Sequence, residues 1–496
     1  MSRVTFWSPW RALVIAIWVG APTLARVAGV SPVFTLVAVG DLVISRPVSM
    51  LQQPGAFKDA GPFADAVALL AQGDATYGNL ETVIIDLRHF TGAPYSWDGD
   101  WVLSSVPAVA EDLAAMHFNL VSRANNHALD WGLEGMRETG RRVAAAGLVQ
   151  AGAGEDAAEA AAPRYYASPN NGKIGLVSLA STFRPTTNAL PVSAGAPRGR
   201  PGINGLNLAE TFVLDSLAYE HIATIACLFA GATPCPVSPR PAAVELFGAN
   251  IRAAGNGETP FSHRYDPAPE DLARIMAGVR SAKPTARYLI VAIHAHEHDS
   301  DEDPPGSWEA PAAFLRTLAH QAIDNGADAF VATGIHHVGG IEIYRGKAIF
   351  YGLGNFFWSD VQLPLSADLY ESASNREYLE RSFTHPERVT DADLSLLMNA
   401  NSTFATVGAR AINRTFHSVL TRTVYDDTTP RVKEIRLYPI DLGYGEKLMS
   451  SGVPRRAGVA IANLVLDRII RLSGDSGIRI RKFNDGPYLI GVATPN

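Results

Sequence analysis

Apolar runs of two different periods alternate along this chain, and that alternation limits what it can fold into. "VFTLVAV" (33–39) is a β-branched run that ends at Gly40-Asp41, whereas "FADAVALLAQ" repeats its apolar residues at helical spacing. "ATYGNLE" is short and extended, "PAVAEDLAAM" is helical, "FNLVSRANNHALDWG" is a strand running into a polar loop, and "LEGMRETGRRVAAAG" is a helix stopped by Gly147. Further strands follow in "KIGLVSLAST", "RYLIVAIH" and "DAFVAT", and helices in "PEDLARIMAGVRSAK" and "APAAFLRTLAHQAIDNG". "IEIYRGKAIFYGLGN" reads as a hairpin turning at Arg345-Gly346. Alternation of this kind predicts a layered α/β domain with much of its sheet buried.

Two stretches break the pattern. Residues 184–266 are rich in Gly, Pro and Ala, and residues 359–430 are polar and aperiodic in places. Both read as long insertions or a cap on one α/β body. The expected organisation is therefore an N-terminal segment (1–25), a main domain (33–360) carrying the insertion (184–266), and a C-terminal extension (361–496) packed on that domain.

The first residues, "MSRVTFWSPWRALVIAIWVGAPTLARVAG", place Arg3 and Arg11 ahead of an apolar stretch (12–21) and then small residues up to Ala25. This is the layout of a secretory signal, or of an uncleaved anchor, and either puts the body outside the cytoplasm. In an oxidising compartment Cys227 and Cys235, the two cysteines of the chain, can close a small local loop. With a net charge of -7 the chain is not a general nucleic-acid binder, which needs a basic surface to neutralise phosphates.

In an α/β sheet the carboxyl ends of the strands line the ligand crevice. Here those ends read "GD" at Gly40-Asp41, "GNLE" ending at Glu81, "NNHALD" from Asn125 to Asp130, "HAHEHD" from His294, and "GIHH" ending at His337. Singly, each has a bland explanation: Asp41 as a helix cap or Asx turn, Asn125 and Asn126 as turn residues, His127 or His336 as a hydrogen-bonded structural histidine. Together they are the donor types of a divalent-metal site without thiolate. His294 and His296 alternate in an extended segment, so both imidazoles can face one ion.

The set "VAVGDLVISR", "GNLE", "ANNHALDWG", "HAHE" and "GIEIYRGKAIFYGLGNFFW" resembles, in order from residue 33 to residue 358, the poly-γ-glutamate capsule synthesis (CapA-like) family of the metallophosphatase superfamily. The resemblance implies a four-layer α/β/β/α sandwich of the calcineurin-like phosphoesterase type, with one or two divalent ions (Mn, Fe, Zn or Mg) at one end of two facing sheets. It implies metal-binding positions at Asp41, Asn79, Glu81, Asn126, His294, His296 and His336. His127 would face the reacting group, and Glu297 would orient a ligand or act as general base. The family pattern has a histidine where this chain has Thr333, in "ATGIHH", which puts one metal position in doubt.

Such a site serves phosphoester or γ-glutamyl amide hydrolysis. The family also implies an anionic polymer as substrate and membrane synthase partners. Arg46, Arg184 and Arg200 are the candidate carboxylate-binding residues, because guanidinium forks match carboxylates. The rival expectation is a non-catalytic assembly component whose metal motif is a relic, and Thr333 is its argument.

Overall fold

The computed structural model of the chain describes residues 33–51, 61–94, 102–193, 198–231, 235, 241–298, 311–359, 376–377, 380–381, 384–390, 414–426, 429–444, 451–474 and 476–496. The signal or anchor segment and the acids that follow His298 (299–303) lie outside the described residues.

Strands in chain order are β1 (Thr35–Ile44), β2 (Ala75–Asn79), β3 (Leu120–Ser122), β4 (Val149–Ala151), β5 (Arg164–Ser168), β6 (Gly172–Ala180), β7 (Leu208–Leu214), β8 (Ala243–Leu246), β9 (Ala249–Ala253) and β10 (Ser262–Pro267). They continue with β11 (Tyr288–His294), β12 (Ala329–Thr333), β13 (Ile341–Tyr344), β14 (Lys347–Phe350), β15 (Asn355–Ser359), β16 (His417–Tyr425), β17 (Val432–Asp441), β18 (Ile478–Asp485) and β19 (Tyr488–Pro495). The main helices are α1 (Pro62–Leu70), α2 (Ala108–Ala115), α3 (Gly132–Ala145), α4 (Ser216–Phe229), α5 (Pro269–Ala282), α6 (Ala313–Asp324) and α7 (Val459–Ser473).

One sheet runs β18-β19-β17-β16-β1-β2-β3-β4, with β15 also on β1; the other runs β13-β14-β12-β11-β6-β5. They face each other across a core that takes Leu36, Tyr77 and Leu120 from the first and Leu176, Ile290 and Val331 from the second. Val465, Leu466 and Ile469 of α7 join that core. Alternate residues of the same strands point outward. Val37 and Val121 meet Leu69 of α1 and Leu113 of α2, and Val177 and Val291 meet Ile275 of α5 and Leu318 of α6. Because successive strand residues face opposite ways, the continuous apolar runs of β1 and β11 are what strands covered on both faces require. The molecule is thus a four-layer α/β/β/α sandwich.

The sequence predicts that the first strand ends at Gly40-Asp41, but β1 continues, buried, to Ile44. Its register against β2 breaks between Ala38 and Asp41, and from Asp41 onward it also pairs in parallel with β15. Gly40 makes this possible, since a Cβ there would overlap the Gly354 carbonyl oxygen that accepts from the Asp41 amide at 3.0 Å. The break is a bulge that aims one side chain away from the ladder.

Within the Gly- and Pro-rich insertion, residues 208–267 form a four-stranded sheet, β8-β9-β7-β10, with α4 against it. Tyr219, Ala223 and Ile251 form its small core, and Cys227 is disulfide-bonded to Cys235. Among the described residues no helix is long and apolar enough to cross a membrane.

Candidate metal centre

Parallel pairing brings polar residues level with one another. Asp41, Asn79 and Ser122 stand in register across β1, β2 and β3, and Ala180, His294 and Thr333 across β6, β11 and β12. The two rows end facing sheets, so side chains from different sheets meet. The Ser122 and Ser178 hydroxyls bond across the gap, and the Asn79 amide nitrogen lies 3.1 Å from His294 Nδ1.

His296 follows β11 in extended chain, and its Nε2 is 2.9 Å from His294 Nε2. His336 is delivered by a turn in which Gly334 takes φ 104° and His336 itself φ 54°. The turn is pinned where the Gly334 amide donates to Asp41 Oδ2 at 3.1 Å. His336 Nδ1 lies 3.3 Å from Asp41 Oδ2 and 2.9 Å from Asn355 Oδ1, with the Trp358 ring 4.8 Å away. In the middle stands Glu81, fully buried: its Oε1 is 3.6 Å from His294 Nε2, 3.9 Å from His336 Nε2 and 4.0 Å from His127 Nε2.

Burial raises the Glu81 carboxyl well above its ordinary range, and the neighbouring charges of Asp41 and Asp130 add to the effect. At Asp41 burial acts the same way but is outweighed by hydrogen bonding to His294 and His336 and by their charges, which hold it well below the usual range. Burial lowers His294, and with the adjacent histidines holds His296 well down. Neutral imidazoles are the ligand form.

These residues fit a divalent cation. Two sets, Glu81 with His296 and His336, and Asp41 with Glu81 and His294, have ligand atoms within 4.8 Å of one another. Both Glu81 oxygens and, on the loop after β3, Asn126 Oδ1 are buried without a hydrogen-bond partner among the described residues. A buried unpaired carboxylate is costly unless a positive charge answers it.

The other sequence candidates fall into different places. Asn79 donates from its amide nitrogen to Asp41 Oδ1 at 2.9 Å, and its oxygen accepts from Asn125 at 3.2 Å, so it braces Asp41. His127 Nδ1 donates to Asp130 Oδ2 at 2.7 Å, leaving Nε2 on the Glu81 side. Both Glu297 oxygens are taken up by hydroxyls, Ser181 at 2.7 Å and Thr182 at 2.8 Å, while Thr182 Oγ1 accepts from the His296 amide at 2.7 Å. Glu297 therefore locks the strand that carries His296. Arg200 is committed to the main-chain carbonyls of Pro185 and Asn188; Arg46 and Arg184 are half-buried on the loops after β1 and β6. Thr333 Oγ1 lies 3.3 Å from His294 Nδ1, and His337 turns away to Val338 and Arg468.

Asn355, Ser181 and Thr182 were not singled out by sequence reasoning. The signal available was position, since all three directly follow or open strands that end at the centre, but Ser, Thr and Asn there also read as ordinary turn residues.

Facing sheets with carboxylates and imidazoles gathered at the carboxyl ends of their parallel strands define an α/β/β/α sandwich with a candidate metal site at one end. More narrowly, the chain belongs to the bacterial capsule synthesis protein PGA_cap family, whose model matches residues 35–359. An uncharacterized protein of Sinorhizobium fredii is 37% identical over 451 residues, 90% of this chain and 91% of its own. The PGA biosynthesis protein CapA of Bacillus subtilis is 23% identical over 342 residues, 68% of this chain and 67% of its own. A crystal structure of a phosphatase from Mycoplasma pneumoniae aligns with 82% of this chain and 94% of that one at 12% identity, with a TM-score of 0.31.

Proposed function

We propose that this protein is an extracytoplasmic metal-dependent hydrolase of poly-γ-glutamate capsule synthesis, acting on γ-glutamyl or phosphoester bonds. The observation that carries the reading is the convergence of three imidazoles on Glu81, whose buried oxygens have no hydrogen-bond partner among the described residues. Residues 1–25 and the Cys227–Cys235 disulfide support an extracytoplasmic location, because disulfides persist in oxidising compartments.

Asp41, Glu81, His294, His296 and His336 would hold the ion, and the resemblance adds Asn126 as a further oxygen ligand. A divalent cation supplies charge to polarise a substrate oxygen and to make water more acidic. The chain's own residues do the rest. Asp130 fixes the His127 tautomer, so Nε2 can hold a proton and deliver it to a departing amine or alcohol. Ser181, Thr182 and Glu297 keep His296 from swinging out, and Asn79 and Asn355 set the orientations of Asp41 and His336. The family's polymer, a chain of carboxylates, favours the γ-glutamyl bond over the phosphoester.

Thr333 favours a second reading, a non-catalytic assembly component that binds polymer or synthase partners. One experiment separates the two. Residues 26–496 purified without chelator are assayed for bound Mn, Fe, Zn and Mg, alongside His294→Ala/His296→Ala, and both are then screened on γ-glutamyl and phosphoester substrates. The hydrolase reading expects bound metal and turnover in the parent and loss of both in the double variant. A parent that stays metal-free after reconstitution sinks it.

A further inference from the structure

On the inserted sheet lies a second built feature. Glu210 of β7 is bound on one oxygen, Oε1, by His263 Nδ1 at 2.7 Å and by the Tyr265 hydroxyl at 3.2 Å, both from β10. A carboxylate only accepts, so both partners donate and hold it in place. Its other oxygen has no hydrogen-bond donor among the described residues. Glu210 lines an open cavity of about 410 Å³ together with Phe212, Phe247 and Asn250, and no lysine or arginine is in that lining. Phe247 is 81% exposed at the hairpin between β8 and β9, with φ 54°, a conformation disfavoured for a bulky residue. Phe229 meets its ring edge-on, with centroids 5.1 Å apart. The His263 ring is 6.3 Å from that of His298, two residues beyond His296.

A carboxylate fixed on one oxygen by His263 and Tyr265, with two phenylalanines in the same lining and no lysine or arginine there, is complementary to an ammonium group, which is attracted both by negative charge and by aromatic rings. A polyanionic chain is repelled from it. We propose that this cavity is a binding site for an organic ammonium ligand, a primary or quaternary amine, held by Glu210 between Phe212 and Phe247. Binding there does not depend on hydrolysis.

The test uses the full chain and two ligands of equal shape, choline and its uncharged isostere 3,3-dimethylbutan-1-ol, followed by calorimetry and by ligand-observed NMR; ethylammonium represents primary amines. Choline is expected to bind about tenfold more tightly than the isostere. Glu210→Gln should abolish that preference. Phe247→Ala, at an exposed tip that leaves the fold intact, should weaken choline several-fold while leaving metal content unchanged. Equal affinity for choline and the isostere, a preference that survives both substitutions, or failure to bind choline and ethylammonium in the millimolar range would each overturn the proposal. Loss of metal with retained choline binding would sink the hydrolase reading and leave this one standing.

Discussion

Glu81 and His127 are the two side chains on which the proposed hydrolysis would rest most directly. Burial makes an ionised Glu81 costly until a cation answers it, so Glu81→Gln is expected to abolish metal retention, read by mass spectrometry of the purified protein. The same substitution should leave the melting temperature in excess chelator unchanged or raised, because it removes the uncompensated charge. Asp130→Asn acts differently. It keeps the ligands but loses the partner that fixes the His127 tautomer, so kcat on the best substrate is expected to fall about 10- to 100-fold, with KM and metal content little changed. At this scale the sequence was partly readable. Asp41, Glu81 and the three histidines stand out because acids and imidazoles rarely follow a buried strand without cause. An orienting role for Glu297 was one of two expected from the resemblance, but its route through Ser181 and Thr182, and the role of Asn79 as a brace, were not readable, because they depend on which oxygen meets which donor across separate strands.

The elements divide by how local their causes are. β11 and α5 follow from runs of ten or so residues and are plain in the sequence. The continuation of β1 through Asp41 is not, since it depends on Gly354 lying against Gly40 from more than three hundred residues away. The inserted sheet was hidden for another reason: β8 and β9 are short and largely half-exposed, so they lack a clean apolar face. Its two ends nevertheless meet, with the Ala268 amide donating to the Asn207 carbonyl at 2.8 Å and Leu208 paired with Pro267. Replacing residues 208–267 by two glycines should therefore leave a soluble protein that binds metal as the parent does and no longer distinguishes choline from its isostere. Loss of metal in that variant, despite a cooperative melt, would mean that the inserted sheet supports the centre directly.

Across the whole molecule the decisive feature is that β1, near the beginning of the chain, has its neighbours supplied from both ends: β2 soon after it, β15 near residue 355 and β16 near residue 420. A chain ending at residue 360 would expose one edge of β1 and lose α7 from between the sheets, so it is expected to be insoluble or to lack a cooperative melt, checked by expression and circular dichroism. The same pairing sets an order in time. The Thr421 hydroxyl bonds the Ala38 carbonyl across 383 residues of sequence, and β1 remains an open edge until the segment near residue 425 has been made. Non-local pairing of this kind slows folding and prolongs exposure of strand edges. The candidate site, built from strands of both sheets, therefore comes together only after the last strands have arrived.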